Sequence, residues 1–260
     1  MKKYLVIGNP IQHSLSPKLH NHWIKENKIN ATYDKKQLNN NDIEEIIGEV
    51  NKEKIDGINV TVPFKKSVIP FLDQLTPLAK EAQSVNTIFK KNNKVVGDNT
   101  DVDGFEHSLK HINYSVKNKK IFILGAGGVA PSIILALKRM GASKIILSNR
   151  TKEKAEDLKK MYADLEIIEW GNAPDFNMII NATSLGLKND DEIKLNYADI
   201  GTNKLFYDVI YNPSKTNFLL EGEKLGNNIE NGKMMFIYQA QLTFKVWHNV
   251  LPKIDDKLLD

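Results

Sequence analysis

Three groups of residues in this sequence could do chemistry, and each sits at the end of an apolar run. The first is Gly125-Ala126-Gly127-Gly128-Val129-Ala130, directly after Ile121-Phe122-Ile123-Leu124. Gly125, Gly127 and Ala130 fall at the small-residue positions of the strand-turn-helix dinucleotide fingerprint. The first glycine permits the tight bend, the second lets backbone approach a pyrophosphate, and the third small residue lets helix and strand pack closely. Phosphates then face amide N–H groups at a helix N-terminus. The second group, Asn149-Arg150-Thr151 with Lys154, ends the next apolar run. An NAD site usually has an Asp or Glu there for the ribose hydroxyls, and that acid repels a 2′-phosphate. Here a guanidinium, a hydroxyl and an ammonium make a phosphate site, so the expected cofactor is NADP. The plainer reading, solvated charges opening a helix capped by Thr151, is outweighed by the glycine turn upstream.

The third group lies nearer the N-terminus. Asn59 and Thr61 alternate with Ile58, Val60 and Val62, which turns both polar side chains to one face near the C-terminal end of a strand, where open α/β sheets bind ligands. Lys65 follows where those side chains converge. Ser14 and Ser16 place two hydroxyls in one loop beside a helix N-terminus, a donor-rich setting for a carboxylate. Ser16 before Pro17 also reads simply as an N-cap with proline at the first helical position. Asp101 and Asp103 before Gly104 could be turn formers or caps. Gln239, in a stretch that is apolar nearly all round, is a buried amide that needs partners.

The elements that must position these groups follow from periodicity. Strands are expected at 4–7, 32–38, 57–62, 84–89 and 95–101, the last two joined by a hairpin at Lys91-Asn92-Asn93-Lys94, with helices at 18–26 and 43–50 and a helical stretch at 70–81 broken at Thr76-Pro77. A helix from Phe105 leads into a second series: strands at 121–124, 144–147, 166–169, 178–180 and 205–210, helices at 129–140 and 151–161, and a buried helix at 234–250. The fold class is therefore α/β, an N-terminal α/β domain plus a Rossmann-type domain with a parallel sheet. The expected boundaries are 1–104, completed by 234–260, for the first and 105–233 for the second.

Composition narrows the function. With 260 residues, 41% hydrophobic and 26% charged, this is an ordinary globular chain for one large domain or two modest ones. Its +4 charge is scattered rather than gathered into a stripe, which suits anionic small ligands and not nucleic acid. The absence of cysteine removes disulfides, thiolate nucleophiles and Cys-ligated metals. No metal site is expected. No apolar run approaches a membrane span or a signal-peptide core, so the expected location is cytoplasmic, without a membrane partner.

The blocks Gly8-Asn9-Pro10 through Ser16-Pro17, Asn59-Val60-Thr61-Val62-Pro63 with Lys65, Val85-Asn86-Thr87, Asn99-Thr100-Asp101, Gly125 to Gly128, Asn149-Arg150-Thr151, Asn181-Ala182-Thr183, Asn231-Gly232 and Gln239-Ala240 resemble, in order, those of the shikimate dehydrogenase family. That resemblance implies NADPH-dependent reduction of 3-dehydroshikimate to shikimate, en route to chorismate and aromatic amino acids, in a monomer or homodimer. It implies Lys65 and Asp101 as the catalytic pair. Ser14, Ser16, Asn59, Thr61 and Tyr211 would surround the substrate carboxylate, and Asn86, Asp101 and Gln239 would bind ring hydroxyls. Gly125, Ala126, Gly127, Gly128, Val129, Asn149, Arg150, Thr151, Lys154, Thr183, Val209 and Gly232 would contact the cofactor. The chain departs from the family's habit at Val129, bulkier than the common Ala, at Gln83-Ser84 in place of Gly-Ala, and at Asn217 where Pro is frequent.

Hydride transfer to a ketone builds alkoxide charge on oxygen, which an ammonium at Lys65 can stabilise and protonate while Asp101 positions it. Two rivals are a broader NAD-using quinate or shikimate dehydrogenase and a non-catalytic ligand sensor on the same fold. Arg150, with no acid at Asn149, argues against the first, and retention of Lys65 and Asp101 argues against the second.

Overall fold

The computed structural model describes residues 1–188 and 190–255. Residues 256–260 of the expected C-terminal completion lie outside the described residues. The chain divides into two compact units, Met1–Phe105 with Ile237–Asp260, and Glu106–Phe236.

In the first unit the elements are β1 (Lys2–Gly8), α1 (Ser16–Glu26), β2 (Ala31–Gln37), α2 (Ile43–Asn51), β3 (Gly57–Val60), β4 (Gln74–Leu75), α3 (Pro77–Ala82), β5 (Thr87–Lys91), β6 (Lys94–Asp98) and the start of α4 (Asp101–His111). They build a six-stranded sheet in the order β2-β1-β3-β5-β6-β4. β1 pairs in parallel with β2 and β3, while β5 runs antiparallel to β3 and β6, so β3 and β6 deliver Asn59 and the Asn99-Thr100-Asp101 segment on either side of β5. Helix α2 buries Ile43, Ile46, Ile47 and Val50, one face at helical spacing, against Ile7, Ile58, Phe64, Val68 and Ile88. Each such side chain removed from water contributes about 1.5–3 kcal/mol.

The second unit contains β7 (Lys120–Leu124), α5 (Ala130–Arg139), β8 (Lys144–Ser148), α6 (Lys152–Met161), β9 (Glu166–Ile168), β10 (Met178–Asn181), β11 (Leu205–Asp208), α7 (Asn217–Lys224) and β12 (Asn228–Glu230). Its six strands run parallel in the order β12-β11-β10-β7-β8-β9. That is the doubly wound order with its switch point between β7 and β10, where ligands bind at the carboxyl ends. Phe122, Leu124, Ile146, Ile179, Phe206 and Phe218 fill one side of this sheet.

Several boundaries differ from the pattern reading. Helix α4 begins at Asp101, not Phe105, because the Asn99 side chain accepts the Val102 N–H at 3.2 Å and starts the helix early. Strand β3 stops at Val60, so Thr61 lies just past it in a turn closed by Phe64 N–H to Thr61 O at 2.9 Å. Helix α8 (Lys233–His248) ends two residues short of the expected limit, where Asn249 adopts a left-handed backbone with φ 54°. Within 70–81 only Pro77–Ala82 is α-helical, with Thr76 as its N-cap accepting from Ala79 N–H at 3.4 Å. β4, α7 and β12 are elements that periodicity left unassigned. Among the described residues, no helix is long and apolar enough to cross a membrane.

Candidate functional site

In the first unit the structure gathers Lys65, Asn86, Asp101 and Gln239. Lys65 and Asp101 are both buried, 7% and 4% exposed, and the Lys65 ammonium donates to Asp101 Oδ2 at 2.6 Å. A buried cation without a partner would be costly, and this short charge-assisted bond supplies one. The Lys65 backbone is pinned as well, its carbonyl accepting Val85 N–H at 2.8 Å. The other carboxylate oxygen of Asp101 accepts Asn86 Nδ2 at 3.0 Å, and the same amide nitrogen reaches Gln239 Oε1 at 3.3 Å. Gln239 is half-buried rather than buried as its apolar surroundings had implied. It gets there because α8 runs close over Gly104, where an added Cβ would come within 2.8 Å of Gln239 Cβ and 2.9 Å of its backbone nitrogen.

Asn59 is placed differently from the expectation that it faces a ligand. It is 7% exposed, its carbonyl oxygen accepts Tyr33 O–H at 2.8 Å and its Nδ2 donates to Asn86 O at 3.0 Å. The amide therefore ties β3 to the Asn86 backbone. Thr61, by contrast, is half-exposed past the strand end, and Ser14 is half-exposed in the loop before α1. Ser16 is not the N-cap: Leu15 takes that position and Ser16 is the first helical residue, its N–H donating to Ser14 Oγ at 3.3 Å. Because Ser14 serves the helix start, the Ser16 hydroxyl is not spent on capping. Tyr211 belongs to the second unit, its ring stacked on Phe236 at 4.4 Å between centroids.

In the second unit the glycine turn follows β7. Gly125 has φ 103°, and a Cβ there would meet Thr183 Cγ2 at 2.7 Å and the Ala182 carbonyl carbon at 3.0 Å, so only glycine fits both the backbone and the space. At Gly127 the nearest atom to an added Cβ is Ala182 O at 3.7 Å, and the residue is exposed, so its missing side chain leaves backbone open to an approaching group. Ala130 is fully buried at the start of α5. Val129 has ordinary right-handed backbone (φ −91°, ψ −23°) and is half-exposed, so its extra bulk imposes no strain on the turn. Gln83, a second of the three departures, does sit in a left-handed conformation (φ 47°) at the end of α3, which is where glycine costs least.

Asn149 joins the turn to the next loop, accepting Ala126 N–H at 2.9 Å and donating to Thr151 O at 2.6 Å. Thr151 occupies the N-cap of α6 but its side chain makes no cap hydrogen bond, and Arg150, Thr151 and Lys154 are all exposed. Thr183 and Val209 follow the carboxyl ends of β10 and β11, and Gly232 follows that of β12. Thr183 donates N–H and Oγ1–H to Asn181 Oδ1, at 3.0 and 2.7 Å, and Gly232 lies so close to Val209 that an added Cβ would be 2.1 Å from its carbonyl oxygen. Behind them is a feature the sequence did not signal: Asp208 is fully buried and accepts from Thr216 O–H at 2.6 Å, Ile210 N–H at 2.9 Å and Asn181 Nδ2 at 3.1 Å. Burial pushes its carboxyl up to about 6, opposed by these donors from Thr216, Ile210 and Asn181.

A glycine-opened turn at a switch point with exposed cations beyond the neighbouring strand suits a phosphorylated dinucleotide, and a buried ammonium–carboxylate pair suits proton transfer. Comparison with known proteins gives this chemistry a lineage. The shikimate dehydrogenase substrate binding domain matches residues 6–88, and the shikimate / quinate 5-dehydrogenase family matches residues 107–185. A shikimate dehydrogenase (NADP(+)) of Pelagibacter ubique (strain HTCC1062) is 59% identical over 259 residues, covering 100% of this chain and 98% of the relative. Among solved structures, shikimate dehydrogenase from Aquifex aeolicus has a TM-score of 0.90 at 37% identity, over 99% of this chain and 96% of that one. Shikimate 5-dehydrogenase from Thermus thermophilus, solved with NADP(H) and shikimate, has a TM-score of 0.90 at 28% identity, over 100% of this chain and 97% of that one. With both halves matched by family and the whole length matched at 59% identity, the chain belongs to the shikimate dehydrogenase family.

Proposed function

We propose that this protein catalyses the reversible NADPH-dependent reduction of 3-dehydroshikimate to shikimate, with the first unit as substrate domain and the second as NADP domain. The observation that carries the reading is the buried Lys65–Asp101 pair held by Asn86. When bound, the cofactor supplies or accepts the hydride. Everything else falls to the protein's own side chains.

Lys65 Nζ is the proton donor to the oxygen of the reduced carbonyl, and in the reverse direction it takes the proton back. Asp101 fixes the ammonium through Oδ2, which sets the direction in which Lys65 presents its remaining N–H groups. Gln239 offers its amide to the ring hydroxyls and Asp101 shares in that contact, while Asn86, 3.3 Å from Gln239, holds Asp101 in place beside them. Ser14, Ser16 and Thr61 supply hydroxyls for the substrate carboxylate. Asn59 acts one step behind, because its amide is committed to Tyr33 and Asn86.

In the second unit the fit to NADP rests on the open backbone at Gly127 and the exposed Arg150 and Lys154. Gly125, Ala126, Gly127, Gly128 and Val129 would hold the pyrophosphate. Asn149, Arg150, Thr151 and Lys154 would take the 2′-phosphate, and Thr183, Val209 and Gly232 the nicotinamide half. The test is absorbance at the nicotinamide band with shikimate or quinate and either cofactor. Turnover with shikimate and NADP, at a kcat/KM well above that for quinate or for NAD, is the expected result. Preference for NAD, or binding without turnover, would replace this reading with the NAD-dependent or the sensor alternative.

A further inference from the structure

Helix α8 contributes a residue to the interior of the first unit that none of the assignments above uses. Thr243 is fully buried, and its hydroxyl meets Thr87 Oγ1 at 2.8 Å, Thr100 Oγ1 at 3.0 Å and Asn59 Nδ2 at 3.4 Å. Counting protons settles the direction of each bond. Thr100 Oγ1 faces Asn86 Nδ2 and Thr243, so only one assignment gives every hydroxyl proton an acceptor, and in it the single Thr87 proton goes to Asn86 Oδ1 at 3.0 Å. Thr243 must then donate to Thr87, which leaves Thr243 Oγ1 as the acceptor for the Thr100 proton. Thr100 Oγ1 in turn accepts Asn86 Nδ2 at 2.8 Å. The result is a closed ring running one way round, Asn86 to Thr100 to Thr243 to Thr87 and back to Asn86, in which every hydroxyl both donates and accepts.

This ring acts together with the Thr100 N–H to fix which way the Asn86 amide faces. Two donors, the Thr87 hydroxyl and Thr100 N–H at 2.9 Å, require an oxygen at Oδ1, so the nitrogen must lie on the side of Asp101. That nitrogen holds Asp101 Oδ1 at 3.0 Å, and Asp101 Oδ2 holds Lys65 at 2.6 Å. Bonds in such a cycle polarise one another, so each member has leverage beyond its own contact.

We propose that Thr243 is a positioning residue for the reaction: its hydroxyl closes the ring that orients Asn86 and, through Asn86, the Asp101–Lys65 pair. This rests on the reading of Lys65 as proton donor, and two readouts on the full-length enzyme keep the two ideas separable. Thr243→Val removes the hydroxyl at nearly constant volume, and Thr243→Ser restores it. In Thr243→Val, kcat for shikimate oxidation should fall on the order of tenfold, the rate equivalent of one lost hydrogen bond, with KM within about threefold and NADP affinity unchanged. The Asn86 side-chain amide protons, followed by NMR, should exchange with solvent roughly tenfold faster, since the ring that protects them is open. Thr243→Ser should recover both. Unchanged exchange in Thr243→Val, accelerated exchange with normal kcat, or a Ser variant as impaired as Val would each overturn the proposal. If Thr243→Val does not fold, Thr87→Val opens the same ring from the strand side, and normal kcat there overturns it equally. Retained turnover in Lys65→Ala would defeat the role of Lys65 instead, and the exchange measurement on Asn86 does not depend on that residue.

Discussion

Lys65 and Arg150 are both cations, and the protein holds them in opposite ways. Lys65 is 7% exposed, bonded to Asp101 at 2.6 Å, with Asp101 itself held by Asn86. Arg150 stands exposed at the loop before α6. The difference matches the role proposed for each. A proton donor is useful only if its hydrogen already lies along the path to the reacting oxygen, and preorganisation of that kind must be built into the apo fold. A residue that reads a phosphate needs charge, reach and a planar fork, and it can order when the phosphate arrives. One region spends the fold's rigidity on geometry, and the other keeps an exposed charge in water.

The largest expected effect tests the rigid side. Lys65→Ala should lower kcat by roughly two to four orders of magnitude, the range for a lost general acid, while KM changes far less. Lys66→Ala is the internal control, because Lys66 is exposed and should be silent in both parameters. Near-normal turnover of Lys65→Ala at saturating substrate would put Lys65 in the same class as Arg150, a binder and not a donor, and would erase the contrast.

The exposed side is expected to give a smaller and purely thermodynamic effect. Arg150→Ala should raise the Kd for NADP by roughly 30-fold, on the order of 2 kcal/mol for a charge-assisted phosphate contact, and leave NAD almost unchanged. Fluorescence titration with both cofactors measures this directly. Equal losses would mean that Arg150 supports the loop and does not discriminate the 2′-phosphate.

The same contrast explains what could be read from the sequence. The glycine turn was legible because Gly125 answers a local demand, a positive φ with a wall of Ala182 and Thr183 beside it, and local demands leave local signatures. The sheet of the second unit was likewise legible, since buried parallel strands are continuous apolar runs. What the pattern did not reveal was which groups in the fold a polar strand side chain would meet. Asn59 at alternating spacing looks the same whether it faces substrate or, as here, Tyr33 and the Asn86 carbonyl. Its partners come from positions 26 and 27 residues away, and Thr243 lies 184 residues away, so no window of sequence contains the network. Asp208 was missed for the same reason, because a carboxylate at a strand end gives no sign of whether Thr216 and Asn181 will enclose it. β4, only two residues long, is too short to carry a period at all, and β12, Asn228-Ile229-Glu230, holds a single apolar residue.

The smallest expected effect compares the two units through acid. In the first, His20 is stacked on Tyr33 at 4.3 Å with neither ring nitrogen hydrogen-bonded, and burial, with a lesser contribution from His248, pushes it down to about 3. Burial likewise lowers His248 to about 4, with the Lys2 charge adding to the shift and Asp56 opposing it. A histidine lowered on folding binds fewer protons native than unfolded, so its contribution to stability is intact above about pH 6.5 and is lost as pH falls below it. In the second unit Asp208 is raised to about 6, so between roughly pH 4 and 6 the native state binds the extra proton, and stability from this group rises as pH falls. From pH 7 to 5.5 the two groups should therefore act in opposite directions, His20 costing about 1 kcal/mol and Asp208 returning a little under about 1 kcal/mol. Urea unfolding of the wild type, His20→Phe and Asp208→Asn at both pH values isolates each term as a difference between variants. Relative to wild type, His20→Phe should gain stability on acidification and Asp208→Asn should lose it. Shifts of the same sign in both variants would mean that the buried imidazole or the buried carboxylate reaches water in the native state, and the opposition between the two units would fail at that residue.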